Sequence, residues 1–378
     1  MEAKYLIYFC NDFDSVYDSQ VLDLLKSINE KNVFKKVYLF QGIRNELQSQ
    51  EFQKKKLPKE IGIVFFKSYP NYPFYNFILR KEISKALKSN ALILEESIFH
   101  TRGELLAWHL IKIVDKKFHQ NILPDIRGTK VEEITEFGNL VFFLKYLKIW
   151  NDKKAVKCII ELKKISVVSE TLKKYLVNNY KINSDNILIT PCLAGKNFKF
   201  EVQHRAQVRK ELNLNKDDIL IIFSSGNSTL WQNNGVLKFL ADKEMKILNL
   251  SKNKIDHQNI INKFVEYCNV PLYLNSADIA IIWREKSIVN QVACPVKFSE
   301  YICCGLPVIA NDSVDLITNY IKSSLFGMLI NKLDEIDKAK INKLISLNRQ
   351  EIADKGINWL GVENISEKYI RIYSSLLQ

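Results

Sequence analysis

Short apolar segments alternate with helix-like segments along almost the whole chain. The first apolar run, Tyr5–Cys10, is typical of a buried strand, and the i, i+3, i+4, i+7 spacing of apolar residues from Val21 to Ile28 predicts a helix after it. Leu105–Val114 is apolar nearly all round, as a buried helix is. The other strands predicted in this half of the chain are Val37–Phe40, Ile63–Phe66, Ala91–Leu94, Ile165–Val168 and Ile187–Thr190.

The same alternation starts again at residue 219, after a polar and basic stretch over 194–215. Strand–helix alternation at this spacing predicts parallel sheets with helices on both faces. We therefore expect an α/β protein of two Rossmann-like doubly wound domains, 1–195 and 196–358, that face a ligand-binding cleft. In the second domain we predict strands at Ile219–Phe223, Lys246–Leu250, Ile279–Trp283 and Val308–Ala310, and helices at Asn234–Leu240 and Ile260–Tyr267.

Composition narrows the class of protein. Of the 378 residues, 47% are hydrophobic and 26% charged, which suits ordinary globular cores, and the scarcity of Gly (12) and Pro (8) argues against a turn-dense all-β protein. No apolar run approaches the roughly 18 residues that span a bilayer, and the N-terminus lacks a signal-peptide pattern. None of the seven cysteines is spaced as CxxC, so we expect reduced core thiols in a cytoplasmic protein.

The chain is basic, with 55 Lys and Arg against 42 Asp and Glu and a net charge of +13. This excess attracts anions, whether nucleic acid, an acidic membrane surface or phosphorylated small molecules. Two segments combine the charge with apolar residues: one carries Arg80, Lys81, Lys85 and Lys88, and the other, 142–148, mixes aromatic residues with Lys. Both a core-facing helix with a solvated basic face and docking on anionic lipid fit this pattern.

The most informative segment is 278–310, which predicts a strand, a helix and a second strand. Pro295 suits the first position of the helix, which would run over Val296–Cys304. Gly305 can adopt the left-handed conformation that ends it. At the carboxyl end of a parallel strand, the free N–H groups at the start of such a helix favour an anion.

Charged residues of this segment suit a nucleotide. Lys297, in the first helical turn, would hold a diphosphate between its ammonium group and the helix amides, and Glu300 could accept hydrogen bonds from the vicinal hydroxyls of a ribose. The alternative is that the two form an ordinary solvated pair. Arg284 could bind phosphate or form a surface ion pair with Glu285.

The segment resembles a known family. Residues Pro295–Phe298, Glu300, Tyr301 and Gly305–Ile309 look like the nucleotide-sugar motif of retaining glycosyltransferases of the GT-B fold, in particular the group 1, family 4-like class of bacterial surface polysaccharide synthesis. Other stretches that fit the family in the same order are His100–Gly103, Asp125–Gly128, Val168–Glu170, Ser224–Asn227 with Trp231 and Gln232, Ala277–Ile279 with Arg284, and the tail 359–378, which resembles a helix that crosses back onto the N-terminal domain.

The resemblance implies a set of site residues. Val292 stands where the family commonly has a Glu that grips the donor sugar, so we expect Asn290, Gln291 or backbone amides to take that role. Arg284 and Lys297 would be the main diphosphate cations. The implied sites are catalytic residues His100, Arg284 and Lys297; donor-binding residues Ser225, Gly226, Asn227, Gln232, Asn290, Pro295, Val296, Lys297 and Glu300; and acceptor-binding residues Ser19, Gln20, Arg102 and Arg127.

Several of these residues have a structural alternative. His100 could be a satisfied core histidine, and Asp125 with Arg127 favours an ion pair that holds a loop. Ser19 and Gln20 could cap the first helix instead of binding an acceptor.

Two further residues or motifs are set aside on similar grounds. Trp231 is favoured as a packing residue over a base-stacking platform. Asp12–Asp14 is a DxD, the metal–diphosphate signature of the other large glycosyltransferase fold, but it is common by chance and follows the first strand too early for that fold. We expect no metal and no cofactor.

The function implied is transfer of a sugar, with retention, from a nucleoside diphosphate to a glycan acceptor on a polyprenyl diphosphate. The enzyme would be peripheral on the inner face of the cytoplasmic membrane, in capsule, O-antigen or exopolysaccharide synthesis, with no nucleic-acid partner. A nucleotide-sugar 2-epimerase of the same fold and a non-catalytic basic protein that binds membrane or nucleic acid are the alternatives. The sequence leaves the donor base, the sugar, the acceptor and the oligomeric state open.

Overall fold

The structure, a computed structural model, describes residues 4–11, 13, 16–53, 55, 58–90, 94–215, 217–225 and 235–377. It contains two compact units. The first unit comprises Met1–Tyr17, Val21–Pro191 and Ser366–Gln378, and the second comprises Asp18–Gln20 and Cys192–Ile365. Apart from the short segment Asp18–Gln20, the chain passes into the second unit at Cys192 and returns to the first at Ser366.

One parallel sheet runs through the described residues of the first unit. Its strands are β1 (Tyr5–Cys10), β2 (Lys36–Ile43), β3 (Gly62–Lys67), β4 (Ser97–Arg102), β5 (Ile122–Ile126), β6 (Ile165–Val167) and β7 (Ile187–Ile189), in the order β3-β2-β1-β4-β5-β6-β7. The helices of this unit are α1 (Leu24–Glu30), α2 (Glu46–Gln53), α3 (Asn76–Ser89), α4 (Glu104–Ile111), α5 (Lys130–Phe137), α6 (Phe142–Cys158) and α7 (Glu170–Tyr180).

The described residues of the second unit repeat this arrangement. The strands β8 (Leu220–Ser224), β9 (Lys246–Leu250), β10 (Ile260–Asn262), β11 (Ile279–Ile282), β12 (Val308–Ala310) and β13 (Gly327–Leu329) form a parallel sheet in the order β10-β9-β8-β11-β12-β13. Its helices are α8 (Arg205–Glu211), α9 (Gly235–Asp242), α10 (Val270–Ser276), α11 (Ile288–Gln291), α12 (Val296–Cys303), α13 (Asp315–Ser324), α14 (Lys338–Ile345) and α15 (Arg349–Leu360). A last helix, α16 (Val362–Leu376), begins in this unit and ends in the first.

Each sheet reverses its strand order once, between β1 and β4 and between β8 and β11. Ligands of doubly wound folds bind outside the carboxyl ends of the strands at such a switch point. The central strands are buried on both faces, which explains why apolar runs such as Tyr5–Cys10 predicted them. The predicted α/β class with two doubly wound sheets is confirmed.

The strand predicted at 91–94 is not present at Leu94, the one residue of that range that the structure describes. Leu94 lies in a single 3₁₀ turn, Leu94–Glu96, residues 91–93 lie outside the described part, and the strand is β4, Ser97–Arg102. All six residues of β4 are buried, although Ser97, His100, Thr101 and Arg102 are polar. These polar residues interrupt the apolar pattern, so the pattern did not predict this central strand. Their burial depends on partners elsewhere in the chain, which the local sequence does not show.

The helix predicted at 260–267 is wrong. The segment begins with the edge strand β10, which pairs with β9. Helical structure starts at its last residue, in the 3₁₀ turn Tyr267–Asn269 that leads into α10. The side chain of Asn262 holds the strand, because its amide donates to the Ile255 carbonyl at 2.9 Å and accepts from the Ile255 N–H at 2.9 Å. Phe264, within the range predicted as a helix, is exposed.

Candidate nucleotide-sugar site

The helix α12 is held at both ends. Pro295 was predicted at the first helical position and is instead the N-cap residue, one position earlier. Gly305 has a φ of +71°, which confirms the predicted left-handed end of the helix. The Arg349 guanidinium donates to the carbonyls of Cys304 at 3.1 Å and Gly305 at 3.2 Å, so a cation caps the C-terminus. These contacts fix the direction in which the N-terminal turn points.

A small cavity lies at the β8–β11 switch point of the second unit. It is lined by the ends of β8 and β11, by the residues after β11 and by the N-terminal turn of α12. Tyr301 joins α12 to β8, because its hydroxyl accepts from the Ser224 N–H at 2.7 Å. The lining residues are Phe223, Ser224, Ile281, Ile282, Trp283, Arg284, Pro295 and Lys297.

Lys297 and Glu300 form an ion pair at 2.8 Å on α12. The Glu300 side chain is 1% exposed and that of Lys297 22%, so this is not the solvated pair that the sequence left open. Burial raises the pKa of Glu300, and the Lys297 ammonium opposes that rise. A buried ion pair is weak evidence for a role in stability. This pair extends inward from Lys297, which lines the cavity.

Arg284 follows β11 and is half-buried. Its Nη1 donates to the Oδ1 of Asn290 at 3.0 Å, rather than pairing with Glu285. Burial lowers the Arg284 pKa to about 10, so the guanidinium stays charged at neutral pH. Its backbone is also fixed, because the carbonyl accepts from the Asn311 amide at 2.6 Å and the Ser313 hydroxyl at 2.8 Å. The result is a cation that is already oriented before a ligand arrives.

Asn290 has a different role from the predicted contact with the donor sugar. Its side chain is fully buried. Its Nδ2 donates to the Glu285 carbonyl at 2.9 Å, and its Oδ1 accepts from Arg284. It therefore positions Arg284. Val292, where the family commonly has a Glu, is a buried core residue.

The other predicted donor residues fall into two groups. Pro295, Val296 and Ser225 are buried in the second unit, with Ser225 directly after β8. Gly226, Asn227 and Gln232, together with Trp231, lie outside the described residues. The hydrogen bond between Tyr301 and Ser224 was not predicted. Tyr301 belongs to the nucleotide-sugar motif, but nothing in the sequence shows which strand its hydroxyl reaches.

The predicted catalytic role of His100 is not supported by its surroundings. Its ring is fully buried in the first unit, Nδ1 shares a hydrogen bond of 2.6 Å with the Tyr373 hydroxyl, and the rings of Tyr8 and Tyr369 lie 4.5 and 4.9 Å away. His100 is the fourth residue of β4 rather than a residue after the strand. It is therefore a core histidine, as in the alternative interpretation, although only Nδ1 has a hydrogen bond within the described part of the chain: Nε2 lies 3.8 Å from the Asp125 carboxylate.

An ion-pair cluster surrounds Asp125, which lies beside Arg102 in the pairing of β4 and β5. Burial by itself would raise the pKa of Asp125, but the Arg127 guanidinium at 3.2 Å, the nearby His100 ring and the charge of Arg102 hold it below its ordinary value. The Ser166 hydroxyl donates to the second carboxylate oxygen at 2.9 Å. The favoured ion pair of Asp125 with Arg127 is therefore present, at the carboxyl ends of two neighbouring strands.

Ser19 and Gln20 lie in a π-helical segment, Asp18–Asp23, and neither caps it. Both are buried, and the Gln20 amide donates to the Leu193 carbonyl at 2.8 Å and accepts from its N–H at 3.3 Å. Gln20 thus holds the backbone at Leu193. Contact of either residue with an acceptor stays a prediction.

His100 makes the stability of the first unit pH-dependent. Burial lowers its pKa from 6.5, so the folded protein holds it neutral while the unfolded chain protonates it below pH 6.5. The free energy of unfolding should therefore fall on acidification, by up to about 1.4 kcal/mol per pH unit. His100→Gln should reduce this loss between pH 6.5 and 5 in urea-unfolding curves. Equal losses in both proteins would contradict the assignment; His109, whose pKa burial lowers to about 3, is present in both.

Among the described residues, no group of three or more His, Cys, Asp and Glu side chains is arranged to hold a metal ion. Asp12 and Asp14 of the DxD lie outside them.

Comparisons with known proteins give a family model and a fold. Residues 221–359 match the model described as the glucosyltransferase 3-like C-terminal domain. No curated protein matches the chain in sequence.

Solved structures match over nearly the full length. A glycosyltransferase from Rickettsia africae matches with a TM-score of 0.70 and 15% identity over 100% of both chains. WaaG, a glycosyltransferase involved in lipopolysaccharide biosynthesis, matches with 0.67 and 11% over 97% of this chain and 99% of its own. HepE from Anabaena, in complex with UDP-glucose, matches with 0.68 and 9% over 98% and 99%. These matches confirm the resemblance to glycosyltransferases and the two-domain GT-B fold.

Proposed function

Since this chain has the glycosyltransferase fold GT-B, and its residues 221–359 match the glucosyltransferase 3-like C-terminal domain, we propose that it transfers a sugar from a nucleoside diphosphate to a glycan acceptor. The observation that carries the proposal is the buried pair of Lys297 and Glu300 on the first turns of α12, beside the preoriented Arg284. Two cations that line one cavity, Arg284 and Lys297, suit a diphosphate, and the carboxylate paired with Lys297 suits a ribose next to it. UDP is the first donor nucleotide to test, because HepE holds UDP-glucose.

The chemistry requires stabilisation of the leaving diphosphate and of an oxocarbenium-like transition state. Lys297 and Arg284 would face the diphosphate oxygens, and their fixed orientation means that little reorganisation is needed as charge develops. Glu300 would accept hydrogen bonds from the ribose. We propose that no metal is needed, and that the configuration at the sugar is retained by front-face attack, in which the leaving phosphate takes the acceptor proton.

The acceptor we propose is a glycan on a polyprenyl diphosphate at the inner face of the cytoplasmic membrane, in surface polysaccharide synthesis. The basic excess of +13 and the similarity to a lipopolysaccharide glycosyltransferase support this choice. No helix within the described ranges is both long enough and apolar enough to cross a bilayer. We propose that the association with the membrane is peripheral.

The first experiment is thermal unfolding with UDP, GDP, ADP, TDP and CMP in the presence of EDTA. UDP should raise the melting temperature, because a ligand at 100 times its dissociation constant stabilises by about 2.7 kcal/mol. The nucleotide that binds then defines the sugar nucleotides for an assay with and without acceptor. Consumption of the donor without any acceptor would favour the epimerase, and no shift with any nucleotide would contradict a functional donor site.

A further inference from the structure

The first unit exposes a cluster of large apolar side chains on two neighbouring segments. Nine of the eighteen exposed large hydrophobic residues in the described part of the chain lie within 74–78 and 140–150. Phe142 is 85% exposed and Phe143 is 65% exposed. Exposed apolar side chains that adjoin one another in this way are typical of an interaction surface. We call the aromatic members of this cluster the aromatic face; they are Phe74, Phe77, Phe142, Phe143, Tyr146 and Trp150.

The helical spacing places these residues side by side. Phe143, Tyr146 and Trp150 follow i, i+3, i+7 along α6 and share one side of it. Phe74 lies in a 3₁₀ turn, Pro73–Tyr75, that leads directly into α3, and Phe77 is in the first turn of that helix. The exposed rings thus lie along one side of α6 and at the start of α3.

Buried amides hold the two segments together. Asn76 donates to the Oδ1 of Asn151 at 2.8 Å, Asn151 donates to Asn71 at 2.6 Å, and Asn71 donates to Asp152. Because this network joins the start of α3 to the middle of α6, the two segments that carry the aromatic face are held as neighbours.

Cations border the aromatic face. Lys81 lies 4.6 Å from the ring centre of Phe77, and Lys154 lies 4.7 Å from that of Trp150. Helix α3 carries four basic residues and one acidic residue, a net +3, and α6 carries five and one, a net +4. These two helices thus hold +7 of the chain's net +13.

We propose that the aromatic face, with its border of Lys and Arg, docks on an anionic lipid bilayer. Aromatic rings partition into the interface between headgroups and hydrocarbon, while the surrounding cations attract acidic headgroups. The positive charge around the aromatic face favours an anionic bilayer over a neutral apolar partner. This inference deepens the proposed membrane-linked function and names the surface that would bring the enzyme to its acceptor.

The test is co-sedimentation of the full chain with vesicles of phosphatidylcholine, with and without about one third phosphatidylglycerol. The protein should bind the anionic vesicles at least about tenfold more tightly than the neutral ones. Phe142→Ser with Phe143→Ser should lower that binding by about tenfold or more, since both rings leave the interface. Lys81→Glu with Lys154→Glu should do the same by reversing charge.

The matched control is Phe264→Ser, because Phe264 is 62% exposed in the second unit and also has a Lys, Lys252, 5.1 Å from its ring centre. It should bind vesicles like the wild type. Unchanged melting temperatures establish that the surface variants are folded. Glu300→Gln should also keep vesicle binding, so a failed donor site and a failed docking surface give different results.

Either of two results would overturn the proposal. One is wild-type binding that is absent or equal on both vesicle types. The other is a wild-type dimer in light scattering that becomes monomeric in the Phe142/Phe143 double variant without any vesicle binding, which would make the aromatic face a contact between two copies.

Discussion

Glu300→Gln is expected to weaken binding of the donor nucleotide by about 100-fold while leaving the protein folded. The substitution keeps the shape of a fully buried side chain but removes the negative charge that would accept hydrogen bonds from the ribose. Hydrogen bonds to charged groups contribute about 1.5–3 kcal/mol each, and 1.4 kcal/mol is a factor of ten in affinity. Isothermal titration with the nucleotide found in the thermal-shift panel measures the effect directly.

The pH dependence of binding gives a second measure of the same residue. Burial raises the pKa of Glu300, and only the ionised carboxylate accepts two hydroxyl hydrogen bonds. Nucleotide affinity should therefore fall as the pH is lowered through that pKa, and Glu300→Gln should remove the dependence.

Glu104→Gln is the control for Glu300, because Glu104 is also a buried helical glutamate, in a helix of equal length, α4, of the first unit. It should leave nucleotide affinity unchanged. A Glu300→Gln protein that binds like the wild type would remove the ribose contact from the proposed site.

The part of the site that lies in one continuous segment could be predicted from sequence. The helix α12, its end at Gly305 and the charged pair Lys297 and Glu300 all follow from spacing and residue type within 295–305. The contact that orients Arg284 also lies nearby in sequence, but predicting it needs the direction in which the Asn290 side chain points. That direction is set by α11 and by the Glu285 carbonyl, which a linear pattern does not reveal.

His100 shows why the rest could not be predicted. A histidine near an apolar run, followed by Arg102 and Gly103, has the same pattern whether it faces a ligand or the core. Its hydrogen-bond partner, Tyr373, is 273 residues away, on a helix that returns to the first unit. The same dependence on distant partners hid the strand β4, whose polar residues are buried because of such contacts.

Arg284→Met is expected to lower the turnover number for sugar transfer by about 100- to 1,000-fold, with a much smaller effect on binding of the nucleoside monophosphate. Removing one preorganised group that stabilises developing charge typically has this magnitude. Arg284 is held by Asn290 and by a fixed backbone, so its charge is in place before the bond to the leaving diphosphate lengthens. Steady-state kinetics with the identified donor, in parallel with monophosphate titration, separates the two effects.

The same loop offers a control for Arg284. Lys286 is two residues further on, is exposed and pairs with Asp312 at 3.0 Å, so Lys286→Met removes an equal charge from the loop without touching the cavity lining. It should change turnover less than about threefold, in keeping with the small energies of exposed ion pairs. Arg284→Lys should restore only part of the activity, because an ammonium group lacks the planar fork that binds two oxygens at once. Equal losses from Arg284→Met and Lys286→Met would mean that the general charge of the loop, rather than a positioned guanidinium, assists the departing diphosphate.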